Sequence, residues 1–217
     1  MEKIPEIIAQ NLSGKLGDVI FVKPKGKNSF TRKLAPKPEA GSCSVKQQAA
    51  RTIFGAVVKF ANDHKETLVT PIWNKRVKEL KMIGISGFNF FVKTNRPAFD
   101  ASGKVGDHEL LHFSNGKLPL PYMFRAEIDP QNPQSIVVSW FHHVAGSKQN
   151  DDCLMSIIYH DGANVPVNTG YTRKDQQAVI VNPTSDSKIV YLYLYSWNKK
   201  LDLYSPDQVF TILQPIM

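Results

Sequence analysis

The chain predicts an α+β module over residues 1–120 followed by an all-β, two-sheet sandwich over 121–217. Three observations carry this. Residues 1–120 hold 20 Lys+Arg against 10 Asp+Glu, whereas residues 121–217 hold 7 against 9. Apolar residues change near the same point from helical spacing mixed with hairpins to short alternating runs. Between the two lies Leu118-Pro119-Leu120-Pro121, a natural boundary.

With 42% hydrophobic and 21% charged residues among 217, the chain has the make-up of a globular protein with a packed core. Apolar runs such as Ile189–Leu194 are strand-sized, short of the ~20 residues of a membrane helix. The first residues lack the apolar stretch of a secretory signal, so a cytoplasmic or particle-associated protein without a membrane span is expected. Cys43 and Cys153 are expected as reduced thiols rather than a disulfide framework. A net charge of +8 permits attraction to nucleic acid, anionic lipid or an acidic protein.

Val19–Val22, the turn residues Pro24-Lys25-Gly26-Lys27, and Ser29-Phe30-Thr31 read as a hairpin. Ser44 and Gln47 form a capping-box pair. They open a helix whose stripe is Val45, Ala49, Ile53, Val57 and Phe60, widened by Ala50, Phe54 and Ala61 and ended by Asn62-Asp63. Thr70-Pro71 reads as a second helix start, with Ile72, Trp73, Val77 and Leu80 buried and Lys75, Arg76, Lys78 and Lys81 wet. A third helix is expected over about 87–94. Asn115-Gly116 between apolar runs reads as a two-residue hairpin turn.

Beyond 121, strands are expected at Tyr122–Ile128, Ser135–Phe141, Cys153–His160, Gln177–Val181, Lys188–Trp197 and Gln208–Leu213. In the fifth, Val190, Leu192 and Leu194 are the more apolar set and should face inward. Tyr191, Tyr193 and Tyr195 would then form a partly exposed aromatic platform for sugars or a protein.

Ser135–Trp140, Leu154–Tyr159, Ala178–Val181 and Val190–Trp197 follow one another as do strands of a fibronectin type III domain, which this half resembles. That likeness implies an immunoglobulin-like sandwich with Trp140 buried. The whole chain also resembles an uncharacterised bacterial family defined as a domain of unknown function. The matching pieces are Gly14-x-x-Gly17-x-Val19, Gly26-Lys27, Arg32, Gln47-x3-Arg51-x2-Phe54, Asn89, Ser114-x-Gly116-x-Leu118-Pro119, and Trp140, Asp152 and Tyr159. Ser44 and Asn115 stand where that family usually has Thr and Arg. The hairpin-and-basic-helix opening resembles components of phage-like particles.

The candidate basic patch is Lys23, Lys25, Lys27, Arg32, Lys33, Lys37, Lys46 and Arg51, with Phe21 and Phe30 interleaved. Such a set could follow a phosphate backbone while aromatics stack on bases, or keep an edge soluble with both Phe in the core. G-x4-G-K-[ST] is absent, so no nucleotide loop is expected. His108 and His112, on an extended segment, would stand about 13 Å apart, too far to share a metal. Asp151-Asp152 lacks a third carboxylate at cation-binding spacing. No catalytic residue, metal, cofactor or small-molecule substrate is expected. The leading expectation is a non-enzymatic structural or assembly protein working by protein contact or self-association. Nucleic-acid binding by the hairpin and carbohydrate binding by the sandwich are the alternatives.

Overall fold

The computed structural model describes residues 13–23, 30–36, 43–141, 151–160, 163–181 and 189–213. The fold is α+β, with helices and three antiparallel sheets. The chain divides after Gln47, into units Met1–Gln47 and Gln48–Met217, and not at residue 120.

In the first unit, β1 (Gly14–Leu16), β2 (Val19–Val22) and β3 (Phe30–Lys33) form a sheet in that order. The expected hairpin is there: Val19 pairs with Lys33 and Val22 with Phe30. Its turn residues 24–29 lie outside the described residues.

Helix α1 (Val45–Asp63) opens with the expected capping box. The Ser44 backbone N–H donates to Gln47 Oε1 (3.0 Å) and the Gln47 N–H to Ser44 Oγ (3.3 Å). Only the last third of its stripe is sealed. Val57 and Ala61 are buried, while Val45 and Phe54 are exposed. The second helix does not start at Thr70-Pro71. A π-helical segment runs from Lys65 to Trp73 with Pro71 inside it, and α2 (Asn74–Glu79) follows directly. In an α-helix the Pro71 ring would collide with the carbonyl four residues back, and the wider π turn accommodates it. The widening begins at the His64 carbonyl, which accepts from both Leu68 and Val69. Of the expected stripe, Ile72, Trp73 and Val77 are buried but Leu80 is exposed. Helix α3 (Gly87–Asn95) is capped by Ser86, whose side chain accepts from the Asn89 N–H.

Asn115-Gly116 makes no hairpin, since residues 106–120 contain no strand. The glycine serves a close approach instead: a Cβ there would overlap the Tyr204 carbonyl. Leu118 N–H donates to that same carbonyl (2.9 Å).

Five strands lie where the alternation places them or one residue away: β4 (Tyr122–Ile128), β5 (Ser135–Phe141), β6 (Cys153–His160), β8 (Gln177–Val181) and β9 (Ile189–Asn198). A sixth, β11 (Gln208–Leu213), does too. Two more were not expected, β7 (Ala163–Thr172) and β10 (Leu203–Tyr204). One sheet has the order β4-β5-β8. In the other, β10-β9-β6-β7, β11 also pairs with β9.

The two sheets share a core of Phe124, Ile136, Val138, Trp140, Ala178 and Ile180 from one side and Leu154, Val190, Leu192, Leu194 and Ile212 from the other. The opposite face of β6 and β9 is covered as well. Ile157, Tyr159, Tyr193 and Tyr195 pack with Val57, Ala61, Leu68, Trp73 and Phe91 from the helical segment and with Phe113 from the irregular stretch after it. This second core crosses residue 120, which is why no division occurs there.

Candidate functional site

The tyrosine row is not a platform. Tyr193 and Tyr195 are 0% and 2% exposed, and only Tyr191 is partly accessible. Alternation did place Val190, Leu192 and Leu194 inward, but the helical layer covers the other face. Burial pushes the Tyr193 and Tyr195 hydroxyl pKa values up, so both stay protonated.

The basic patch is divided by the β pleat. Register puts Lys15, Ile20, Val22, Phe30 and Arg32 on one face of the arm sheet and Leu16, Val19, Phe21, Thr31 and Lys33 on the other. Arg32 and Lys33 therefore point apart, as do Phe21 and Phe30, which do not share one core. Lys15 joins Arg32, which the sequence reading missed. Lys23 closes β2 in the same unit. Lys46 and Arg51 are exposed on α1. Lys25, Lys27 and Lys37 lie outside the described residues.

His108 and His112 serve different partners, but residues 108–111 form a turn, with the Leu111 N–H donating to the His108 carbonyl (3.4 Å), and not the expected extended stretch. His112 Nδ1 meets Asp207 Oδ1 at 3.0 Å. Asp207 Oδ2 also accepts from the N–H groups of Phe113 and Ser114. That bond raises the His112 pKa above its ordinary value. Buried Asn95 holds the same stretch, accepting from the His112 N–H (2.6 Å) and donating to its carbonyl (2.9 Å). Together these clamp the irregular segment against α3 and the β10–β11 connection. Among the described residues no group of three His, Cys, Asp or Glu is placed to hold a metal. His142 and His143 lie outside them.

Asp152 is a structural residue, not a cation ligand among the described residues. It forms a buried pair with Arg173 (3.2 Å), and the two side chains are 0% and 4% exposed. Asn198 Nδ2 donates to its other oxygen (2.6 Å). The Arg173 carbonyl in turn accepts from Trp140 Nε1 (2.7 Å), tying the expected core tryptophan to this pair. Asp151 stays outside, near Lys174 and Lys200. Cys43 and Cys153 are not joined in a disulfide.

The feature the sequence did not disclose is a groove of about 740 Å³ in the second unit, between α1, the loop after α3 and the tyrosine edge of β6 and β9. Phe60, Phe99, Val105, Tyr159 and Tyr191 supply its apolar lining, and Lys59, Asp63 and Lys104 its charges. His108 lies flat on Tyr191, ring centroids 3.4 Å apart and 11° from parallel. Its Nδ1 is 3.0 Å from the Tyr193 hydroxyl, which donates to the His108 carbonyl. The hydroxyl hydrogen being used there, the shared proton sits on Nδ1, and Nε2 is left as an acceptor. Burial lowers the His108 pKa to about 4, against a smaller opposing effect of Asp107, so the ring is neutral at pH 7. The residues are scattered from 56 to 191 with no motif linking them.

No family model matches this chain, and no curated protein matches it.

Proposed function

We propose that this chain is a non-enzymatic assembly protein whose N-terminal sheet, residues 14–33, pairs with the same sheet of a second copy. One observation carries the reading: among the described residues of Met1–Gln47 not one is buried. Leu16 is 73% exposed, and Val19 and Leu34 are exposed too. Strands of three and four residues with no core of their own are at the margin of stability. Among the described residues β1 and β3 are the edge strands of this sheet, the position from which a strand pairs with another chain.

In the second unit the orders β4-β5-β8 and β7-β6-β9-β11, with Trp140 in the second strand, support reading it as a fibronectin type III-like sandwich. A phage-like particle is the setting suggested by the sequence resemblance. Carbohydrate binding on a tyrosine platform loses its support, because Tyr193 and Tyr195 are buried.

Salt separates assembly from nucleic-acid binding. Two basic arms repel, so screening strengthens self-association, whereas phosphate contacts weaken as salt rises. Light scattering of the full chain should show association that grows with protein concentration and with salt. It should disappear in the Leu16→Lys/Leu34→Lys variant with the circular dichroism unchanged. A chain that stays monomeric, or one that binds DNA at sub-micromolar concentration with affinity falling steeply in salt, would overturn the reading.

A further inference from the structure

We propose that the groove over Tyr191 and His108 binds a flat apolar small molecule carrying one anionic group, a carboxylate, sulfonate or phosphate. Its volume, about 740 Å³, falls in the range of small-molecule sites, roughly 300–1,000 Å³. Its lining has the composition of such a site: aromatic and aliphatic walls with a few convergent polar groups. The walls do not depend on a ligand for their placement. Tyr159 and His108 meet edge to face, 4.8 Å between centroids, and Tyr191 stacks on the imidazole at 3.4 Å. Phe60 packs edge to face on Phe99 at 5.7 Å.

The charges select the ligand. Among the charged side chains that line the groove, two lysines, Lys59 and Lys104, outnumber one carboxylate, Asp63. Lys104 is held on a hydrogen-bonded loop. Asp100 Oδ1 accepts from the N–H groups of Ser102 and Lys104, and the Lys104 carbonyl accepts from the Asp100 N–H. Phe99 and Val105 bridge across the base of that loop. Lys59 and Asp63 stand one turn apart on α1. His108 contributes no charge at neutral pH, only its Nε2 acceptor. The fitting ligand therefore has an apolar body, one negative charge and space for a hydroxyl or amine donor near the imidazole.

The test uses the full chain and two fluorescent probes of nearly equal shape: 8-anilino-1-naphthalenesulfonate, which is anionic, and N-phenyl-1-naphthylamine, which is neutral. The parent should bind one sulfonate per chain. Lys59→Glu and Lys104→Glu, both exposed, should each weaken the sulfonate about tenfold, an effect of ~1.4 kcal/mol, and leave the neutral probe unchanged. Ala56→Trp should weaken both probes by filling the groove. Leu16→Lys/Leu34→Lys should leave both unchanged, which separates this site from the arm. No binding by the parent, or equal sulfonate affinity in the parent and both lysine variants, would overturn the proposal. So would undiminished binding of both probes by a folded Ala56→Trp chain.

Discussion

The arm sheet and the sheet built on β9 use the same β-branched and aromatic residues, yet they end in opposite environments. Strand β2 reads Val-Ile-Phe-Val, apolar at every position, and none of its residues is buried. Strand β9 alternates tyrosine with aliphatic residues, and from Val190 to Ser196 only Tyr191 escapes burial. The difference lies in what covers each face. Two faces of β9 meet two layers, a second sheet and the helical segment. Nothing among the described residues of the first unit forms a second layer for β2. An apolar strand thus states a demand for cover, and the rest of the molecule decides whether the demand is met inside the chain or by a partner.

Truncation breaks this comparison with the largest effect. A chain of residues 43–217 retains both layers over β9 and should keep a single cooperative thermal transition. A chain of residues 119–217 keeps the two sheets but uncovers Ile157, Tyr193 and Tyr195, and each buried aromatic removes roughly 150–250 Å² from water. It should lose that transition in calorimetry. Cooperative melting of residues 119–217 near the parent temperature would show that the helical layer is dispensable.

The next effect concerns the polar tie inside the second unit. Asp152→Ala leaves Arg173 buried without its carboxylate and should cost about 3–5 kcal/mol in urea unfolding. Adding Arg173→Met to Asp152→Ala should recover a substantial part. A loss below about 1 kcal/mol for the single change would mean that Arg173 finds solvent easily and that the pair is not a structural tie.

The smallest effect is a pH dependence on the tyrosine side of β9. His108 has a folded pKa of about 4 against an ordinary value of 6.5, lowered by burial. Above pH 6.5 it is neutral in both states. As pH falls from 6.5 toward 4 the unfolded chain takes up the proton first, so stability drains away across that window. His112 runs the other way: its folded pKa is raised, so its contribution is present below 6.5 and is lost as pH rises through the folded value. The urea midpoint of the parent should fall more steeply between pH 6.5 and 4 than that of His108→Gln. Parallel curves would place His108 in solvent and remove it from the groove wall.

Much of the second unit was legible because strand alternation is a local signal. Strand β7 was not, for reasons that its place in the sheet explains. It contains Pro166, Gly170 and two asparagines, which read as loop. It lies at the edge of its sheet, the position at which a strand tolerates proline. Gly170, at φ +79°, sits where the pairing with β6 shifts register. The π-helical segment was equally hidden, because Thr-Pro is a good helix start and nothing local shows that a helix already precedes it.

By itself the sequence determined the local elements: the capped α1, the arm hairpin, six strands and the inward set Val190, Leu192 and Leu194. These follow from side-chain period and from caps that act within a few residues. Only the tertiary structure decided where the chain divides, that Tyr193 and Tyr195 are covered, that Asp152 meets Arg173, and that residues from 56 to 191 line one groove. Each depends on which distant surface comes to lie against an element. Period along a chain tells a strand which residues share a face; it carries no information about what will be packed on that face.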